Sequence, residues 1–252
     1  MTFPVLGMEI SCLGSYEETY ALTLKYLKEH NRPWYITVNN VNAVTEGLKD
    51  NNFKEIINNS YLSLPDGRPL SITAKIKGIK GVSRIFGPSF FETALEAGQR
   101  DDLRHFLFGS SEITLKKMEE VISIKYPNTN IVGMISPPYR QFSVQDNKKF
   151  MEEINSSNPD LVWVSLGAPK QEKWIFNNYK QLNRGLMIGI GAGFDYLAGN
   201  LKHAPDWMKN LSLEWLYRFL QEPARLWKRY LFSNSVFIFY SILELTGIRK
   251  FD

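Results

Sequence analysis

At 252 residues and 44% hydrophobic, the chain can bury a full core, as one large domain or as one domain with an appendage. A net charge of only +4 makes no global demand for nucleic acid, and the single cysteine, Cys12, excludes an internal disulfide framework and fits a reducing cytosol. Met1 to Leu13 lacks a basic start and a small-residue cleavage site, and no run of about 18 apolar residues appears, so neither a signal peptide nor a spanning helix is expected.

In chain order, apolar spacing predicts a helix over Tyr16 to His30, a strand over Trp34 to Val38 and a second helix over Thr45 to Ile57. Tyr61 to Leu64 reads as a short strand ending in the turn Pro65-Asp66-Gly67-Arg68, and Ser89 to Ala97 as a helix. Strands follow at His105 to Phe108, Ile131 to Ile135, Leu161 to Leu166 and Leu186 to Ile190. Between them lie helices at Glu112 to Lys125, Asp146 to Ser156 and Lys170 to Leu182. Strands separated by helices of this length predict an α/β fold, a mostly parallel sheet with helices on both faces.

Polar residues collect where these strands end. Asn39-Asn40-Val41-Asn42 follows the first strand, and Thr37 lies inside it; turn chemistry and ligand binding both suit the asparagines. Asp66 is held on a tight turn between Pro65 and Gly67, as a catalytic carboxylate or as a bond to its own turn. Gly109-Ser110-Ser111 before a helix suits a phosphate cradle or a plain cap. In Ser165 to Trp174, Gly167 lets the backbone bend and Pro169 suits a first helical position. Gln171 and Glu172 then fall in the first helical turn, at the carboxyl end of a strand, where open α/β sheets bind ligands. Gly189-Ile-Gly-Ala-Gly-Phe-Asp195 fails the dinucleotide fingerprint because its third glycine falls one position early.

The last quarter, from Glu214 to Tyr240, interleaves Trp, Tyr and Phe with basic residues. Pro223 divides it. Beyond Pro223, Arg225, Lys228 and Arg229 share one helical face, with Leu226, Trp227, Tyr230 and Leu231 on the opposite arc. Arg218 joins the basic face if the kink is mild. The pattern suits a helix lying on an anionic membrane surface, and equally one packing on its own domain. The basic cluster is short and interrupted by acids, which disfavours nucleic acid.

Together these segments resemble the WecG/TagA/CpsF-type bacterial glycosyltransferases from about Leu6 to Tyr230. The resemblance rests on Thr37-Val-Asn39, Leu64-Pro-Asp-Gly67, the segment around Gly109, Gly167-Ala-Pro-Lys-Gln-Glu-Lys-Trp174 and Gly189-Ile-Gly-Ala-Gly-Phe-Asp-Tyr-Leu-Ala-Gly199. Ala204-Pro-Asp-Trp207 and Leu213-Glu-Trp-Leu-Tyr-Arg218 through Glu222-Pro-Ala-Arg225 complete it. It implies a Rossmann-like catalytic domain over residues 1–199 and a helical membrane-associating appendage over 200–252. The implied reaction moves a hexose-type sugar from a UDP-sugar donor to a polyprenyl-diphosphate-linked sugar, with inversion and without a metal or other cofactor. The implied location is the cytoplasmic face of the cell membrane.

Carried over by position, Asp66 is the general base and Thr37, Asn39 and Gln171 line the sugar site. Arg84, Gly109, Ser110, Gly167, Glu172, Gly191, Phe194 and Asp195 belong to the same donor-side motifs, while Arg218, Arg225 and Lys228 meet the acceptor diphosphate. The chain lacks the Asp-x-Asp pattern of many metal-using glycosyltransferases, and Asp101-Asp102 does not supply it. Two departures leave the donor sugar open. Arg84-Ile-Phe-Gly-Pro-Ser89 stands where many members have Arg-x-x-Gly-x-Asp, and Ser136-Pro-Pro-Tyr-Arg-Gln-Phe142 replaces the commoner Gly-Tyr-Phe loop. Arg84 then meets a phosphate or a structural carboxylate. A UDP-sugar epimerase or NAD-linked enzyme, and a non-catalytic membrane-surface protein of the same fold, are the alternatives. Apolar surface left on the appendage would drive self-association into a homo-oligomer off the membrane.

Overall fold

Leu161, Val162, Trp163 and Val164 are apolar without alternation because both faces of their strand are covered, and all four are fully buried. In the computed structural model, which describes residues 1–205, 207–208 and 213–251 without the side chains of 225, 228 and 229, this strand lies inside a six-stranded parallel sheet. The sheet is built from β3 (Trp34–Asn39), β4 (Leu62–Pro65), β5 (Arg104–Gly109), β6 (Asn130–Ile135), β7 (Leu161–Ser165) and β8 (Leu186–Gly189), in the order β4-β3-β8-β7-β5-β6. An antiparallel hairpin of β1 (Thr2–Val5) and β2 (Met8–Ser11) precedes it.

Helices cover both faces. α2 (Val41–Gly47), α3 (Asn51–Asn58), α4 (Arg68–Ile76), α7 (Val144–Ser156) and α8 (Lys170–Asn178) pack with the hairpin on the face of Tyr35, Phe106 and Val164. α1 (Tyr16–Glu29), α5 (Gly87–Asp101), α6 (Glu112–Lys125) and α9 (Gly193–Leu197) pack on the face of Ile36, Leu107 and Trp163. This is the expected Rossmann-like α/β arrangement. From β5 the chain runs outward to β6, whereas from β7 it runs inward to β8, so the sheet has a topological switch between β5 and β7. Ligand crevices form outside the carboxyl ends of strands at such points.

Two local readings need correction, and one element shows no pattern to read. The helix predicted over Thr45 to Ile57 is two helices: Asn40 Oδ1 accepts from the N–H groups of Asn42 and Ala43 to start α2, and Asp50 Oδ1 accepts from those of Asn52 and Phe53 to start α3. A second cap inside one apolar period ends the first helix and starts another. The hairpin β1–β2 escapes strand periodicity because it is short; Leu6 and Gly7 turn it with φ of 51° and 80°. Pro169 is the N-cap of α8 rather than its first helical residue.

Beyond residue 213 come α10 (Glu214–Gln221) and α11 (Pro223–Leu245). The break falls at Pro223 as expected. α11 packs along α2, where Ser233 Oγ donates to Asn42 Oδ1 over 3.1 Å and the Lys49 ammonium lies 4.0 Å from the Phe232 ring. Its far end is fastened to the hairpin: the Glu244 carboxylate accepts from the Leu6 N–H and from Lys77 Nζ. Leu226, expected on one apolar arc with Trp227, Tyr230 and Leu231, parts from Trp227 and Leu231: it is buried with Ser233 and Phe237 against the domain. Trp227, Leu231, Ile238 and Phe239 are exposed, so α11 carries two apolar faces where the sequence reading had one. Among the described residues, no helix is long and apolar enough to cross a membrane.

Candidate active site

The carboxyl ends of five strands meet in register, Asn39 beside Pro65, Gly109 beside Ser165 and Val164 beside Gly189. At the β5 end, Gly109 has φ 128°, and a Cβ there would sit 2.3 Å from the Ser165 carbonyl oxygen. Only glycine fits. Ser110 follows with φ 60° and donates its N–H to the Ser165 carbonyl, while Ser111 caps α6 by accepting from the Thr114 N–H. Gly109-Ser110 is therefore a tight turn laid against β7, and Ser111 serves as the cap.

At the β7 end, Gly167 has φ 78° with open space where a side chain would point. α8 starts without a side-chain cap; within its first turn the Gln171 N–H donates to the Gly167 carbonyl over 3.0 Å and the Lys173 N–H to the Pro169 carbonyl over 3.3 Å. Gln171 is buried: its Oε1 accepts from the Gly191 N–H (3.0 Å) and its Nε2 donates to Glu172 Oε1 (2.8 Å). Ser165 Oγ donates to the Gly191 carbonyl over 2.6 Å. Gly191, at φ 56°, is thus held on both sides, and Gln171 and Glu172 lock the β8 loop to α8. Phe194 is fully buried against Phe91, and Asp195 Oδ1 accepts from Asn200 Nδ2 over 3.1 Å.

Thr37 and Asn39 point into the sheet's hairpin-side core. Asn39 Nδ2 donates to Thr37 Oγ1 and Ser63 Oγ, Thr37 Oγ1 donates to Ser60 Oγ, and the Asn39 amide oxygen has no hydrogen-bond partner among the described residues. These side chains brace the β3 and β4 ends, and Asp66 N donates to the Asn39 carbonyl over 2.9 Å.

Asp66 stands on the turn between β4 and α4, 14% exposed, with Oδ1 accepting from the Gly87 N–H over 3.3 Å. Arg84 reaches it from the loop before α5. Nε donates to the Asp66 carbonyl (2.5 Å), one terminal nitrogen lies 3.9 Å from Oδ1, and the other is paired with Glu214 of α10. Burial pushes the Asp66 carboxyl above its ordinary range, with Arg84 opposing and Glu214 adding to the rise. Burial disfavours the charge on Arg84, but Asp66 and Glu214 outweigh it and keep the guanidinium protonated. Arg218, one helical turn beyond Glu214, lies over the Tyr196 ring of α9 at 5.8 Å, and its Nε has no hydrogen-bond partner among the described residues. Burial pushes the Tyr196 hydroxyl up to about 12.

The fold thus brings Asp66, Arg84 and Arg218 together, with the Gly109, Gly167 and Gly191 loops along the same rim. Phe194, Thr37, Asn39 and Gln171 support that rim from within. The side chains of Arg225 and Lys228 lie outside the described residues. Sequence reading passed over Glu214 because an acid in the first turn of a helix is ordinary dipole chemistry, and only its burial marks it out. Among the described residues, no three His, Cys, Asp or Glu side chains form a metal-ligand cluster.

A family model described as the Glycosyl transferase WecG/TagA/CpsF family matches residues 3–250. The chain is 36% identical over 184 residues to an N-acetylglucosaminyldiphosphoundecaprenol N-acetyl-beta-D-mannosaminyltransferase of Bacillus subtilis, covering 73% of this chain and 70% of that one. It is 29% identical over 223 residues to a protein of the same description from Bacillus spizizenii, covering 88% and 82%.

Proposed function

The chain belongs to the WecG/TagA/CpsF glycosyltransferase family, and from that membership we propose that it moves a sugar from a UDP donor to a polyprenyl-diphosphate-linked sugar with inversion at the anomeric carbon. The relatives act on an N-acetylglucosaminyl-diphosphoundecaprenol and transfer N-acetylmannosamine, so this acceptor and donor pair is the first to try. The single observation that carries the reading is Asp66, a largely shielded carboxyl of raised proton affinity on the rim where five strand ends meet.

In the proposed step, Asp66 takes the proton of the acceptor hydroxyl as that oxygen attacks the anomeric carbon. The bond from that carbon to the UDP oxygen breaks on the opposite side. The departing diphosphate needs positive charge, which the uncapped start of α8 and the Arg218 guanidinium supply without a metal. Arg84, with Asn39 and Gln171 behind the rim, sets the geometry. Residues 1–199 form the catalytic part. Residues 200–252 form the appendage that closes the site and rests on the cytoplasmic face of the membrane through the exposed Trp227, Leu231, Ile238 and Phe239.

The test is a panel of UDP-sugars with a polyprenyl-diphosphate N-acetylglucosamine acceptor, read as UDP formed and product mass. Asp66→Asn should keep UDP binding and lose at least about a hundredfold in turnover; wild-type turnover in that variant rejects the base. Turnover that vanishes with EDTA and returns with manganese rejects the metal-free step.

A further inference from the structure

Arg84 carries one cation between two largely shielded acids, and the geometry divides it unequally. Its closest ion pair is with Glu214, at the start of α10 and 130 residues away, while its nearest approach to the Asp66 carboxylate is 3.9 Å. Its Nε is spent on the Asp66 backbone carbonyl, and its Cζ lies 4.5 Å from the centre of the Phe86 ring. Both acids and the arginine are largely shielded from water, with side chains 11%, 14% and 21% exposed for Glu214, Asp66 and Arg84. A guanidinium released from Glu214 has the Asp66 carboxylate as its nearest remaining anion.

Building on the assignment of Asp66 as base, we infer that Glu214 is a positioning residue. It holds Arg84 off the Asp66 carboxylate, so that docking of the appendage helix and readiness of the base are one event. With α10 away, Arg84 closes on Asp66 and makes it a weaker base. With α10 docked, Glu214 claims the cation and Asp66 is free to accept a proton. The charged and titratable groups facing Asp66 are Arg84 from the loop before α5, Glu214 and Arg218 from α10, and Tyr196 from α9. Tyr16 of α1 faces Arg84. A base that is fully basic only under the closed appendage would not pull protons from water in the open enzyme.

The experiment titrates the Asp66 carboxyl carbon by NMR in the full-length, ¹³C-labelled chain, the signal being identified by its loss in Asp66→Asn. Glu214→Gln, which keeps shape and an acceptor but not the charge, should lower the midpoint by about one pH unit or more as the arginine closes on the acid. In an Arg84→Met background the same substitution should lower it by less than half as much, because the mobile cation is gone. Glu214→Asp should restore the wild-type midpoint, and Arg84→Met alone should raise it, which keeps the idea testable if Glu214→Gln loosens α10. An unmoved midpoint in Glu214→Gln, or an equal fall with Arg84 absent, overturns the inference. With the UDP-sugar that the panel identifies, Glu214→Gln should cut kcat about tenfold, leave KM for the donor within about twofold and move the acidic limb of the pH profile downward. If Asp66→Asn retains turnover, the base assignment falls, yet the NMR midpoints still decide whether Glu214 governs Arg84.

Discussion

Burial makes the ionised Asp66 carboxyl costly, and Arg84 with the Gly87 N–H offsets only part of that cost. Its folded proton affinity exceeds that of the unfolded chain. The neutral acid therefore contributes stability that is present at low pH and lost as pH rises through the folded value. Asp66→Asn should accordingly raise the melting temperature at pH 7 by a few degrees, on the scale of about 1 kcal/mol, while removing turnover. Below about pH 3.5 the gain should disappear. His105 runs the other way. Its ring is fully buried, Trp163 Nε1 donates to its Nδ1 over 3.0 Å, and burial depresses its pKa to about 4. Folding then favours the neutral ring, so stability falls as pH drops from the unfolded value near 6.5 towards 4, by up to about 3 kcal/mol. Urea unfolding at pH 7 and pH 4.5 should show that decline in the wild type and not in His105→Gln.

Between elements, the site depends on close backbone contacts that no side-chain pattern announces. Gly109 is the clearest case, since φ 128° and a Cβ position 2.3 Å from the Ser165 carbonyl both forbid a side chain. Gly109→Ala should destabilise the fold by more than about 2 kcal/mol and prise β5 from β7. Calorimetry should also record weaker UDP binding; wild-type stability and affinity would remove Gly109-Ser110 from the site. The strand ends carrying Gly109, Gly167 and Gly191 were legible from apolar runs that stop at glycine. Which of these glycines touch was not, because a strand's neighbours are chosen by the sheet and not by its own residues. The split of α2 from α3 is written in Asp50, an ordinary cap residue that apolar periodicity does not register.

On the scale of the molecule, α11 is where an amphipathic pattern admitted two partners. The domain takes the face of Leu226, Ser233 and Phe237, and a second apolar face with Leu231 and Ile238 stays 67% and 59% exposed. Leu231→Glu with Ile238→Glu should weaken sedimentation with phosphatidylglycerol vesicles at least about tenfold without lowering the melting temperature, because neither side chain supports the core. Vesicle binding equal to wild type would reject the membrane-facing role. Residue order alone determined the alternation of strand and helix, the break at Pro223 and the placement of Asp66 on a turn, since each follows from interactions within a few residues. The burial of Asp66, the choice of Glu214 over Asp66 by Arg84, and the face α11 turns to the domain were decided only by the tertiary structure. Burial and ion pairing depend on groups more than a hundred residues apart, and no local pattern states which of them will meet.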